Sequence, residues 1–143
     1  MNVITWPNKV LSIKAQEVTE FNDEIKQLVA DMKITMRASG GIGLAAPQVD
    51  ISKRVIVVSR SFRESTAMIN PRYTGIGNKI NSREGCLSIP GRMFTVQRYP
   101  AVLVSYQTTE GQQKSERCHF MLAKCIQHEI DHLDGITIAD IGR

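Results

Sequence analysis

Cysteines are few in this chain, and their number and spacing exclude one class of protein. Only three occur among 143 residues, at Cys86, Cys118 and Cys125, an odd number without a CxxC pair. A disulfide scaffold requires paired cysteines and an oxidising compartment, so we expect reduced thiols in a reducing compartment. At least one of them is therefore available to bind a metal.

Long apolar runs are also absent. The longest, such as Val55 to Val58, fall far short of the roughly 20 residues that a helix needs to cross a bilayer. Lys9 and Lys14 interrupt what would have to be the apolar core of a secretory signal. We therefore expect a cytoplasmic protein that does not span a membrane.

No part of the chain concentrates charge of one sign. The 18 basic and 14 acidic residues give a net charge of +4, and no basic run is longer than Lys53-Arg54. This scatter predicts a mixed, solvated surface and no specific nucleic-acid partner. The small positive excess permits a weak association with the ribosome but does not establish one.

The length of the chain, which has no repeats and no linker-like tracts, predicts a single domain over residues 1–143 and leaves the oligomeric state unknown.

Hydrophobic periodicity predicts two helices separated by strands. The first helix covers residues 22–39, with Asn22 as N-cap and Gly40 as its stop signal, and the second covers residues 119–133, followed by Gly135. Segments rich in Val and Ile predict strands at 54–59, 68–70, 93–97, 101–107 and 113–118, the second ended by Pro71. This order favours an α+β fold in which antiparallel strands pack against helices.

The second predicted helix carries the motif HExxH, as His128-Glu129-Ile130-Asp131-His132. Helical residues four apart lie on one face, so His128 and His132 can bind one cation while Glu129 reaches a water molecule beside it. Two histidines on a solvated helix face are the alternative interpretation of the motif when it stands alone.

A catalytic metal site of this kind needs a third protein ligand, and Cys86 is the best candidate. It lies in Glu84-Gly85-Cys86-Leu87-Ser88, and a thiolate suits a borderline-soft cation such as Fe²⁺ or Zn²⁺. An inert buried thiol is the alternative for Cys86, and it is the expected state of Cys118 and Cys125.

A third segment, Gly41-Ile42-Gly43-Leu44-Ala45-Ala46-Pro47-Gln48, is rich in small residues. It is not a phosphate-binding loop, because it follows a helix and lacks the lysine of GxxxxGK[ST]. Its small residues and Gln48 can bring backbone amides and a side-chain amide close to a substrate carbonyl. Taken alone, such a segment is most often a turn.

Together the three segments resemble a known family. GIGLAAPQ at 41–48, EGCLSIP at 84–90 and QHEIDHLDG at 127–135 are similar to the three signature motifs of peptide deformylases, in the same order and with similar separations. The resemblance extends to about Ile138 and implies the deformylase fold, with antiparallel strands around the HExxH helix. It also implies an enzyme that hydrolyses the N-formyl group of N-formylmethionyl peptides of newly made proteins and releases formate.

The same resemblance implies roles for individual residues. It matches Cys86, His128 and His132 to the metal ligands and Glu129 to the general acid/base. It matches Gln48 and the backbone amide of Leu87 to the donors that stabilise the oxyanion. The family's cation is usually Fe²⁺, and Zn²⁺, Ni²⁺ or Co²⁺ can occupy the site. The positions near the methionine side chain of the substrate are Ile42, Gly43, Leu87, Met121 and Cys125.

Two features depart from the family pattern. The sequence stops at Arg143, so we expect a compact form without the C-terminal helix that contributes to ribosome docking in many bacterial members, as in deformylases of some phages. Phe120 and Lys124 stand where relatives more often have a small or apolar residue, which predicts a different pocket rim. We also expect Asp131 to pair with Arg98 and support the second helix.

An HExxH endopeptidase and a purely structural metal site are the alternative functions. The endopeptidase predicts a third His or Glu ligand after His132, and the remaining residues include neither. A structural zinc site usually has four protein ligands, whereas only three candidates are convincing here. The structural interpretation also leaves Glu129 without a role.

Overall fold

The computed structural model describes residues Met1 to Arg143, which form helices and seven strands. Helix α1 spans Asp23–Ala38, α2 spans Phe120–Leu133, and a short α3 spans Ile138–Ile141. Single 3₁₀ turns lie at Lys9–Ser12 and Ala46–Val49. The strands are β1 Gly43–Ala45, β2 Val55–Ser59, β3 Ser65–Ile76, β4 Ile80–Cys86, β5 Ile89–Arg98, β6 Ala101–Gln107 and β7 Gln113–His119.

The strands form two sheets in which every pair is antiparallel. The larger sheet has five strands in the order β1-β2-β3-β6-β7, and β4 and β5 form a separate two-stranded ribbon. This arrangement confirms the predicted α+β fold with antiparallel strands. None of the helices combines the length and the apolar character needed to span a membrane.

The alternation of side chains along β2 explains how helices cover both faces of the larger sheet. Val55 and Val57 pack in the apolar cluster that contains the buried face of α1, whereas Ile56 and Val58 pack in the cluster that contains the buried face of α2. Successive strand residues point to opposite faces, so a strand buried on both sides is apolar at every position. The HExxH helix is therefore held directly against the sheet.

The predicted helix boundaries are confirmed to within about a residue. The Asn22 side chain accepts a hydrogen bond from the Ile25 N–H at 3.2 Å and caps α1. Gly40 and Gly135 adopt the left-handed conformation, with φ of +72° and +74°, where the chain leaves α1 and α2. A side chain is disfavoured in this conformation, which is why glycine ends both helices.

The prediction that the second strand ends at Pro71 is wrong, because β3 continues to Ile76. The pairing of β3 with β6 shifts register between Ile69 and Arg72, so Pro71 lies at an irregularity where its missing N–H is tolerated. Asn70, with φ of +50°, bonds through its side-chain amide to both the N–H and the C=O of Val18.

Other elements extend beyond the sequence prediction. The segment from Gly41 to Gln48, expected as a turn, contains β1 followed by a 3₁₀ turn. Strand β4 and helix α3 were not predicted, and β5 begins four residues before the predicted 93–97 segment. In contrast, β6 matches the predicted 101–107 segment, and β2 and β7 differ from prediction by one residue each.

Candidate metal centre

Three parts of the chain meet at a cavity of about 520 Å³. The segment around β1 forms one side, β4 and the turn after it form another, and α2 forms the third. His132 is not part of the cavity lining and is 1% exposed. The other residues that the sequence predicted for the site all line the cavity: Ile42, Gly43, Gln48, Cys86, Leu87, Met121, Cys125, His128 and Glu129.

One sulfur and two imidazoles converge beside the cavity. Cys86, His128 and His132 each offer one ligand atom, and these atoms all lie within 4.8 Å of one another. The Cys86 Sγ is 3.3 Å from the His132 Nε2. Thiolate and imidazole are the donors that borderline-soft cations prefer, and three protein ligands leave a fourth tetrahedral position open. The donor set therefore fits a catalytic metal ion.

A carboxylate behind His128 fixes the orientation of that ring. The Glu84 Oε1 lies 2.9 Å from the His128 Nδ1, which leaves Nε2 free to face a cation. Glu84 in turn accepts hydrogen bonds from the Arg98 guanidinium at 2.9 and 3.1 Å. A further guanidinium N–H of Arg98 donates to Asp131 at 2.6 Å, which confirms the predicted Asp131–Arg98 pair.

The charges around the cluster favour a cation. Burial alone would raise the pKa of Glu84, but its hydrogen bonds with His128 and Arg98 outweigh burial and lower that pKa to about 2. Burial lowers the pKa of His132 well below its ordinary value, and the charges of His128 and Arg98 act in the same direction. The His132 ring is therefore neutral and can donate a lone pair to a metal.

The pKa of His128 also indicates that the site favours a positive charge. Burial alone would lower its pKa, but hydrogen bonds with Cys86 and Glu84 and the charge of Glu129 outweigh burial and raise it to about 10. A proton on His128 thus balances the surrounding acidic groups when no cation does so. A divalent cation supplies the same positive charge at this point.

Glu129 is buried beside the three donors, at 5% exposure. Its Oε1 has no hydrogen-bond partner, an uncommon state for a buried polar atom. Burial raises its pKa to about 7, against the opposing charges of His128 and Arg98. A Cβ at Gly43 would lie 2.6 Å from the Glu129 Oε2, so glycine leaves room beside this carboxylate.

Gln48 and Leu87 both line the cavity. The Gln48 Oε1 accepts from the Ala45 N–H at 2.9 Å, and its Nε2 donates to the Ser88 Oγ at 3.1 Å. These two contacts fix the amide, and its Nε2 also donates to the Cys86 Sγ at 3.6 Å, so the second N–H is directed at the donor cluster. Leu87 lies in the turn between β4 and β5, and its backbone amide makes no hydrogen bond within the chain.

The chain is similar over nearly its whole length to one family of enzymes. The family model described as polypeptide deformylase matches residues 1–141. The chain belongs to this family. It is 41% identical to the peptide deformylase of Desulforudis audaxviator, over 96% of this chain and 90% of that protein.

Two solved structures of other deformylases show the same fold. The peptide deformylase from Synechococcus elongatus, in complex with actinonin, has a TM-score of 0.95 at 37% identity and covers 99% of this chain and 80% of its own. A probable peptide deformylase from Synechococcus phage S-SSM7 has a TM-score of 0.92 at 38% identity and covers 98% of each chain. The predicted resemblance, fold and enzyme class are therefore confirmed.

Peptide deformylases are metal-dependent, and in this member the Cys86–His128–His132 cluster can hold the ion. The endopeptidase alternative predicted a third donor after His132, whereas the donor beside the two imidazoles is Cys86. The purely structural alternative predicted four donors, whereas the cluster has three. Both alternatives therefore disagree with the geometry of the site.

Sequence reasoning missed Glu84 and Ser88 as parts of the site. Alternate residues of a strand point the same way, so Glu84 and Cys86 share a face of β4, but that strand was not predicted. At the predicted rim, Lys124 lines the cavity, whereas Phe120 is 78% exposed and lies outside the lining. Of these two residues, only Lys124 can therefore alter the rim.

Proposed function

We propose that this deformylase removes the formyl group from N-formylmethionyl peptides of newly made proteins and releases formate. The observation that carries the proposal is the buried Glu129, which has an unpartnered oxygen next to three convergent donors in a deformylase fold. The cation would be held by Cys86, His128 and His132. We propose Fe²⁺ as that cation, with Zn²⁺, Ni²⁺ or Co²⁺ able to bind the same donors.

A cation held by Cys86, His128 and His132 would supply a Lewis acid that lowers the pKa of water and polarises the formyl group. Glu129 is the general acid/base. Its pKa of about 7 lets it accept a proton from the attacking water and return that proton to the departing peptide amine near neutral pH. Because the carboxylate is buried, the proton is delivered to the amine and not to bulk solvent.

Gln48 and the Leu87 amide stabilise the charge that develops on the formyl oxygen. The Gln48 amide is already oriented by Ala45 and Ser88, so it needs no reorganisation during the reaction. The Leu87 N–H is free to donate. A preorganised donor of this kind lowers the barrier by roughly 3–4 kcal/mol.

The methionine side chain binds against the apolar part of the cavity lining. Ile42 and Met121 are 50% and 66% exposed, so they offer apolar surface for a thioether to cover. Gly43, Leu87 and Cys125 complete this part of the lining. The cavity suits an unbranched apolar side chain beside the reacting group.

Two strand edges favour a peptide over a small formamide as substrate. Strand β1 pairs only with β2, and β4 pairs only with β5, so each has one edge without a partner strand. Residues of both strands line the cavity. An extended peptide can therefore add backbone hydrogen bonds along an unpaired edge.

The substrate also suggests the setting of the enzyme. Newly made peptides are present where ribosomes work, which supports a cytoplasmic location, and the net charge of +4 permits weak ribosome association. The two larger core clusters lie on opposite faces of one sheet, which supports a single domain over residues 1–143.

The proposal is tested by measuring formate release from a formyl-Met tripeptide under anaerobic conditions. We expect turnover with added Fe²⁺, turnover that differs with Zn²⁺, and loss of turnover after treatment with a chelator. The matched acetyl-Met tripeptide controls for cleavage of any other bond. Absence of formate from the iron-loaded protein, or cleavage of an internal peptide bond instead, contradicts the proposal.

A further inference from the structure

Two basic residues line the cavity and have no acidic partner. Lys124 lies on α2, one turn before His128, and Arg83 lies on β4, three residues before Cys86. Neither side chain takes part in any ion pair of the chain. The cavity is therefore bordered by positive charge on two sides, from the helix and from the strand.

The acidic residues of the cavity do not neutralise these charges. Glu84 accepts hydrogen bonds from Arg98 and contacts His128, so its charge is already balanced. Glu129 is 5% exposed and lies next to the metal ligands. The other polar residues of β4 in the lining, Asn81 and Ser82, are uncharged. Lys124 and the exposed Arg83, which lies on the face of β4 opposite Glu84 and Cys86, thus border the cavity without an acidic partner.

The positions of Lys124 and Arg83 indicate which residues of a bound peptide would contact them. Lys124 lies beside Cys125 and one turn after Met121, next to the proposed methionine site. Arg83 lies three positions before Cys86 on β4, a span of about 10 Å, which is the length of about three residues of extended peptide. A peptide running along the free edge of β4 therefore places its second and third residues near these cations.

Resting on the proposed function, we propose that this deformylase prefers peptides with acidic side chains at the two positions after formylmethionine. A carboxylate there accepts charge-assisted hydrogen bonds from the Lys124 ammonium and the Arg83 guanidinium. A basic side chain at the same positions is repelled, which widens the difference between substrates.

Three amidated peptides test the proposal: formyl-Met-Asp-Asp, formyl-Met-Asn-Asn and formyl-Met-Lys-Lys. Their side chains are negative, neutral and positive, and Asp and Asn are matched in size. We expect kcat/KM to fall in that order, with the Asp peptide favoured over the Lys peptide by about tenfold at low salt. About 0.5 M salt should reduce the ratio, since partly exposed charges are screened. Equal kcat/KM values for the three peptides would overturn the proposal.

Variants that each remove one basic side chain identify the residues responsible for the preference for acidic peptides. Lys124→Gln and Arg83→Gln should each lower the Asp-to-Lys ratio about threefold, and the double variant should bring it close to one. Lys114→Gln removes a charge from β7, which contributes nothing to the cavity lining, and should leave the ratio unchanged. An unchanged ratio in the double variant, or an equal fall in Lys114→Gln, assigns the preference elsewhere and overturns the proposal.

Failure of the proposed function gives a different result. In that case none of the three peptides releases formate, whereas failure of the charge preference leaves all three turned over at equal rates. Calorimetric binding of the unformylated Met-Asp-Asp and Met-Asn-Asn amides makes the same comparison without turnover. We expect tighter binding of the Asp peptide, and equal dissociation constants would overturn the charge preference.

Discussion

At residue 129 a carboxylate oxygen is buried without a hydrogen-bond partner, although nearly all buried polar atoms in proteins have one. The surroundings of this oxygen explain how the cost is tolerated. The pKa of Glu129 rises to about 7, so a protonated and an ionised form are both accessible near neutral pH. A structural carboxylate gains nothing from this balance, whereas a general acid/base needs it.

Substituting Glu129→Gln keeps the shape of the side chain and removes its ability to accept a proton. We expect formate release to fall by roughly 10²–10⁴-fold, because general acid/base catalysis contributes about this factor. Metal content and melting temperature should stay close to the parent values. Glu110→Gln, an exposed substitution in the turn before β7, is the control. Near-parental turnover of Glu129→Gln would remove Glu129 from the mechanism.

Cys86 is the only candidate ligand that comes from outside α2. Substituting Cys86→Ala leaves two imidazoles, and we expect tight binding of metal to be lost, which elemental analysis of the purified protein can measure. Cys118→Ala is the matched control. It also removes a free thiol, but Cys118 is buried in the apolar core on β7 and is not one of the three candidate ligands. One equivalent of metal in Cys86→Ala would refute the ligand assignment.

At the scale of elements, the predictable parts are those whose residues pack into the core. The apolar residues of α1, α2 and β6 repeat with the period of their element, and β2 is a continuous apolar run, so the sequence predicts these elements well. Strand β4 has mostly polar residues, and the side of it that is less exposed carries Ser82 and Glu84, so its sequence shows no alternation of apolar and polar residues. Its hydrogen-bonded ribbon with β5 comes from tertiary pairing, which single-sequence patterns do not contain.

The functional site also has a part that the sequence predicts and a part that depends on tertiary packing. The spacing of HExxH predicts that His128 and His132 share a helix face, because that relation lies within one element. The approach of Cys86 to these rings depends on how β4 packs against α2; donor chemistry made Cys86 the best candidate, and the family resemblance assigned it as a ligand. Ser88 was missed because its hydroxyl acts on Gln48, forty residues away along the chain.

Gly135 controls the end of the HExxH helix through its contact with the N-terminal segment. A Cβ at this position would lie 2.7 Å from backbone atoms of Ser12, and no rotamer change can relieve such a contact. The left-handed φ of +74° adds a further cost for any side chain. We expect Gly135→Ala to lower the free energy of unfolding by about 3 kcal/mol, measured by chemical denaturation.

Gly91→Ala separates the cost of the contact with Ser12 from the cost of a side chain in the left-handed backbone conformation. Gly91 has a φ of +78°, close to that of Gly135, but a Cβ there would meet nothing within 4 Å. Its substitution should therefore cost only the backbone term of about 1 kcal/mol. Equal losses in the two variants would mean that contact with Ser12 does not contribute.

At the scale of the whole molecule, one ion network joins the β4–β5 ribbon to the helix that carries the motif. Arg98 of β5 is 3% exposed and bridges Glu84 of β4 and Asp131 of α2. Glu84 also contacts His128. Removing one partner of such a network leaves a buried charge uncompensated, which costs more than the pair contributes. The position of Cys86 relative to the imidazoles therefore depends on this network.

Because the pKa of Glu84 is lowered in the folded protein, the stabilisation that Glu84 gives to the folded state depends on pH. In the folded protein the pKa is about 2, against an ordinary value of 4.5. Above pH 4.5 the carboxyl is ionised in both states and its stabilisation is complete, whereas between pH 4.5 and about 2 the unfolded chain takes up the proton first. Stability from this group is therefore lost as the pH falls through that window.

We expect Glu84→Gln to test this directly in chelator-treated protein. Above pH 4.5 the variant should be less stable than the parent by roughly 1–3 kcal/mol, after allowing for solvent screening of a partly exposed carboxylate. The difference should shrink as the pH falls towards 2, since the parent then loses the same charge. Urea denaturation of both proteins across this range measures it. A difference that stays constant with pH would show that Glu84 stabilises the ribbon by packing and not by its charge.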